Sequence, residues 1–101
     1  MAKHKRTKAT DITKQVKMEV ALRDNGRCII CGGYGIPNAH FIKRSQGGLG
    51  IPENIVSLCP RCHFEQDFGK NTKEYTDKIE NYLRTYYGDT WNKEKLVYRK
   101  Y

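Results

Sequence analysis

At 101 residues the chain is one small domain, and a core of that size is thin enough that a staple such as a metal is expected to support it. Nineteen Lys and Arg against eleven Asp and Glu give a formal charge of +8 and a pI near 9.4, which suits a polyanionic partner such as nucleic acid. The sequence has no apolar stretch long enough to cross a membrane, and no apolar segment follows its basic N-terminus, so neither a membrane partner nor a signal peptide is expected, and an intracellular setting is.

Residues 1–10, with Lys3, Lys5, Arg6 and Lys8, lack apolar periodicity and read as a flexible basic arm, touching a nucleic-acid backbone or simply solvated. Ile12, Val16 and Val20 recur every four residues and predict a helix over residues 11–24, capped by Thr10 or Asp11. Asn25-Gly26 ends it, since both residues tolerate the left-handed conformation. Residues 39–42 predict a short strand, with His40 and Ile42 on one face and Ala39 and Phe41 on the other. Residues 45–52 are a glycine-rich loop, and residues 55–58 a second strand. Pro60 suits the first turn of a helix that runs to Phe68 and stops at Gly69. Asn71 or Thr72 then opens a helix with the apolar stripe Tyr75, Ile79, Tyr82, Leu83 and Tyr86, closed by Gly88. That stripe reads as core rather than as a base-stacking platform. Trp91, Tyr98 and Tyr101 lie in a tail without a firm assignment. The expected layout is an arm (1–10), a core (11–69), a C-terminal helix (70–88) and a tail (89–101), in a small α+β fold.

All four cysteines fall in two Cys-x-x-Cys pairs, Cys28 with Cys31 and Cys59 with Cys62. A disulfide framework is the alternative, but paired knuckles in a lysine-rich chain without a secretory signal favour a structural zinc site made of all four thiolates. The spacer is longer than the roughly 15–20 residues common in zinc ribbons, so the loop carries structure of its own. That loop holds His40, the Gly47-Gly48 turn and Asn54, and His63 follows Cys62 directly.

The run Cys28-x-x-Cys31, Ala39-His40-Phe41-Ile42, Arg44-Ser45-Gln46-Gly47-Gly48, Asn54 and Cys59-x-x-Cys62-His63 resembles the zinc-stapled HNH endonucleases, whose fold is the ββα-metal (His-Me) finger common in phages and mobile elements. The resemblance covers about residues 20 to 68. It implies a metal-dependent DNA endonuclease, with His40 as the base for an attacking water, Asn54 holding the loop that orients it, and His63 binding a catalytic divalent cation such as Mg²⁺, Mn²⁺ or Ni²⁺. Asp67 shares a helix face with His63 and is the expected second ligand. Lys43 and Arg44 are placed to clamp phosphate.

Ala39 departs from the family pattern, in which an acid or a second histidine often precedes the base as a further ligand. The resemblance further implies a nicking enzyme of low sequence specificity in a bacterial host cytoplasm, acting as a monomer or weak dimer. Its setting would be phage DNA metabolism, beside packaging or recombination proteins. The alternatives are a catalytically weak or inactive zinc-stapled DNA-binding module, and a zinc-dependent protein-interaction domain. Each singled-out residue also has a plain reading: a packed His40, a turn Asn54, His63 in place of a structural thiolate, and a solvated Asp67.

Overall fold

The computed structural model describes residues 5–99, with side chains from residue 7 onward. Lys3 and Tyr101, assigned above to the arm and the tail, lie outside the described residues. Six elements follow in chain order: α1 (Lys5–Thr10), α2 (Lys14–Arg23), β1 (Ile36–His40), β2 (Ile55–Leu58), α3 (Pro60–Phe68) and α4 (Thr72–Tyr87). Among the described residues β1 and β2 form a two-stranded antiparallel sheet, with Ala39 opposite Val56 and His40 opposite Ile55. The fold is small α+β.

The helix predicted over residues 11–24 is shorter, and it starts at neither expected cap. Thr13 caps α2, its hydroxyl accepting from the Val16 N–H at 3.2 Å. Asp11 is engaged elsewhere, paired with Arg44. Residues 5–10, expected as a flexible arm, form the short helix α1. It is tied down from outside: Gly50 donates to the Ala9 carbonyl at 2.9 Å. A Cβ at Gly50 would lie 2.0 Å from the Asp11 carbonyl oxygen, so only glycine permits that approach. Asn25 and Gly26 take positive φ, 58° and 65°, and end α2 as predicted.

The first strand spans Ile36–His40 rather than residues 39–42. Its register slips between Ile36 and Ala39, beside Pro37, which has no N–H for the ladder. It stops at His40 because the backbone of Ile42 is taken by a side chain, that of Asn54, instead of by β2. The second strand and α3 coincide with their predicted spans.

The core gathers Ala39, Phe41, Val56, Leu58, Ile79 and Leu83 between sheet, α3 and α4. The tail completes it. Trp91 and Leu96 are buried, 5% and 2% exposed, and the Trp91 ring packs 5.6 Å from Phe41. Val97 pairs with Gly48, so the tail closes over the glycine loop. In the predicted stripe of α4, Tyr86 points out, 56% exposed. Tyr87 turns inward instead because its hydroxyl accepts from Arg23 at 3.0 Å.

Arg23 and Asp24, at the end of α2, tie the layers together. Their bidentate pair has bonds of 2.7 and 3.1 Å and is nearly shielded from water. Asp24 also accepts from the Ser57 N–H and the Tyr82 hydroxyl, and Arg23 donates to the carbonyls of Pro52 and Ile55. Burial disfavours the Arg23 charge, but Asp24 and Tyr87 more than offset it and raise its pKa. Every side-chain nitrogen of Arg23 and both oxygens of Asp24 have a partner, which is what makes such a buried pair tolerable.

Candidate functional site

The two cysteine knuckles meet. All four Sγ atoms lie within 4.8 Å of one another, and Cys31 and Cys59 approach to 3.7 Å. A tetrahedral zinc with bonds near 2.3 Å sets its sulfurs about 3.8 Å apart, so the cluster fits the ion. The first knuckle is a tight return: Gly32 donates to Cys28, Cys28 to Gly33, and the Cys31 N–H points at the Cys28 sulfur. The second is the start of α3, where Cys59 is the cap and its sulfur accepts from the Cys62 N–H at 3.4 Å. Burial pushes the Cys28 thiol up, but backbone N–H donors outweigh it and bring it to about 7. The Cys62 N–H likewise lowers Cys59. Burial and the neighbouring sulfurs push Cys62 up. Four thiols this close compete to ionise, and a divalent cation removes that conflict. These cysteines can hold zinc.

The sheet and α3 carry a second group of polar residues into one cleft of about 760 Å³, lined by His40, Lys43, Arg44, His63 and Asp67 among others. His40 comes from the end of β1 and is 9% exposed. Its Nε2 bonds the Thr10 carbonyl at 2.9 Å. A carbonyl only accepts, so Nε2 carries the proton and Nδ1 is the basic nitrogen of the neutral ring. Burial lowers the His40 pKa; the Thr10 bond opposes this, and the charge of Arg44 adds to it.

Asn54 is fully buried. Its Oδ1 accepts from the Ile42 N–H at 2.8 Å, while Nδ2 donates to Ile42 and Leu49 carbonyls at 3.2 and 2.8 Å. One amide thereby closes the loop from His40 to β2. Gly48 packs under it: a Cβ there would lie 1.7 Å from the Ile42 carbonyl oxygen. His63 and Asp67 sit one turn apart on α3, with Nε2 and Oδ2 separated by 3.4 Å and both side chains about one-third exposed. Among the described residues no third histidine, cysteine or carboxylate donor forms a close group with them. Lys17 joins Lys43 and Arg44 on the cleft wall. Ala39 is fully buried opposite Val56, facing the core and not the cleft.

No family model matches the chain. The chain is similar to the type IV methyl-directed restriction enzyme EcoKMcrA of Escherichia coli (strain K12), 42% identical over 40 residues. That stretch is 40% of this chain and 14% of the enzyme, so the chain spans a small part of this relative's length.

Several groups at the site carry no sequence signal. The Thr10 carbonyl is backbone, reached only through the packing of α1. Gln66, 1% exposed, donates to the His40 carbonyl at 2.9 Å, yet its Oε1 finds no partner among the described residues. That orphaned acceptor is the cost of holding β1 against α3 at the histidine. Gln66 was legible only as one more polar residue between His63 and Asp67. Trp91 reaches the same loop, donating from Nε1 to the Glu53 carbonyl at 2.8 Å.

Proposed function

We propose that the chain is an HNH-type, divalent-metal-dependent DNA endonuclease whose strand–strand–helix unit is a ββα-metal finger. The support is the convergence of neutral His40 and the His63–Asp67 pair in one cleft walled by Lys17, Lys43 and Arg44. The likeness to a restriction enzyme agrees with it.

In this reading Lys43 and Arg44 engage the phosphates either side of the bond to be cut. His40 accepts the proton of the attacking water at Nδ1, while the Thr10 carbonyl holds the opposite edge of the ring. Asn54 fixes the loop, so that the imidazole does not swing from its line of attack. His63 and Asp67 offer one nitrogen and one oxygen, and would hold a divalent cation such as Mg²⁺, Mn²⁺ or Ni²⁺. Such a cation, when bound, supplies charge stabilisation for the departing oxygen. One such site per chain makes a nick by a monomer, and a double-strand break needs two copies or two events. The setting this reading carries is phage DNA metabolism, beside packaging or recombination proteins.

A second reading, a zinc-stapled DNA-binding module without catalysis, is favoured by one observation: the cation pair has two protein donors, with Ala39 turned into the core. Supercoiled plasmid separates the two. Incubation with Mg²⁺, Mn²⁺ or Ni²⁺ is expected to yield open circles, and His40→Ala is expected to lose roughly 100-fold or more in rate while still binding DNA. Binding without nicking in any metal would replace the nuclease with the binding module.

A further inference from the structure

Phe64 and Phe68 stand one residue beyond His63 and Asp67 on α3, and they are 59% and 76% exposed. Their ring centroids are 5.6 Å apart and their planes tilted by 51°. Met18 and Leu22 are also exposed, but on α2 and outside the cavities described. The two phenylalanines line a cavity. A hollow of about 330 Å³ opens beside the cleft, walled by Ile36, Leu58, Pro60, Phe64 and Phe68. It shares Asn38, His63, Asp67 and Phe68 with the larger cleft, so the two are continuous.

We propose that this hollow receives one unstacked nucleobase of the strand being cut, with Phe64 and Phe68 as its platform and the Asn38 amide at its polar edge. The inference rests on the nuclease reading above and adds a substrate class: DNA that is single-stranded, bulged or distorted at the cleavage point, ahead of perfect duplex.

Helix geometry supports that occupant. Residues i and i+4 share a stripe, and residues i and i+1 lie about 100° apart. His63 with Asp67 and Phe64 with Phe68 are therefore two neighbouring stripes on α3. A nucleotide whose phosphate sits at the first carries its base toward the second. The walls are mostly apolar, with Asn38, His63 and Asp67 as the polar groups shared with the cleft, which is the make-up of a site for a small planar ligand. Phosphate comes from the other side, along Lys17, Lys43 and Arg44. An apolar patch built for a protein partner has no need to open into a cationic cleft. Stacking is blind to base identity, so the site selects structure and not sequence.

The test compares two oligonucleotides of equal length and charge, one with bases and one abasic throughout. Binding is read by fluorescence anisotropy on the His40→Ala chain, which leaves DNA uncut. The oligonucleotide with bases is expected to bind about 5- to 150-fold more tightly. Adding Phe64→Ala and Phe68→Ala is expected to erase that ratio while leaving the abasic affinity unchanged. With His40 restored, the double variant should nick plasmid and lose its preference for a bulged duplex. Equal affinity for both oligonucleotides overturns the proposal. So does a double variant that keeps the ratio, or one that loses both affinities alike, which would make the patch part of the fold or of an interface between copies. Nicking without base-dependent binding sinks the subsite and leaves the nuclease. Base-dependent binding without nicking in any metal sinks the nuclease and keeps the subsite.

Discussion

His40 shows how a single side chain acquires its chemistry from neighbours remote in sequence. Burial lowers its pKa below the ordinary 6.5, and the Thr10 carbonyl fixes the proton on Nε2. A base must be neutral to act, so cleavage is expected to rise with pH along an acid limb whose midpoint lies below 6.5, measured by initial nicking rates at fixed metal. A midpoint above about 7 would remove His40 from that role. Stability carries the same sign. The folded protein binds fewer protons at His40 than the unfolded chain, so this contribution is present above the unfolded value and is lost as pH falls through the folded one. The residue itself was legible in the sequence, because a histidine between two thiolate pairs, followed by Gly47-Gly48 and Asn54, is a specific pattern. Its partners were not. Thr10 acts through backbone, and Gln66 through an amide that any surface position would also accept.

Among the elements, β2 and α3 were readable from local signals alone: a short β-branched and apolar run, a proline at a helix start, a glycine at its end. The start of α2 was not, because Thr10, Asp11 and Thr13 are equivalent caps until tertiary contacts take Asp11 to Arg44. The tail was illegible for a similar reason. Its apolar residues are too few for any period, yet Trp91 fills the core beside Phe41 and its indole N–H holds the loop next to Asn54. Trp91→Ala is therefore expected to cost about 3–5 kcal/mol in urea unfolding, the range for truncating a buried aromatic. It should also reduce nicking under conditions where the protein remains folded, because the Asn54 loop loses a tether. A change below about 1 kcal/mol would show that the tail does not support the core.

For the whole molecule the question is what keeps so thin a core in one conformation. Two devices span it. The Arg23–Asp24 pair bonds α2 to β2, to α4 and to both sides of the Asn54 loop, and the cysteine cluster joins the turn before β1 to the start of α3. Only the second was visible in advance, because Cys-x-x-Cys advertises itself whereas an arginine at a helix end usually faces water. The pair bonds Ile55 and Ser57 of β2 and the cluster's second knuckle begins at Cys59, just past its end, so each makes contacts the other does not. Without an ion the four sulfurs within 4.8 Å of one another cannot all ionise, and binding of a structural ion there would itself be folding free energy. Chelation, or Cys28→Ser, is expected to abolish the cooperative thermal transition and the dispersion of amide NMR signals, with helix content partly retained in α4. Because the helix that carries His63 and Asp67 starts at that staple, nicking should fall in step with zinc content. A Cys28→Ser protein that is folded, free of zinc and fully active would show that the buried Arg23–Asp24 network alone suffices to position the cleft.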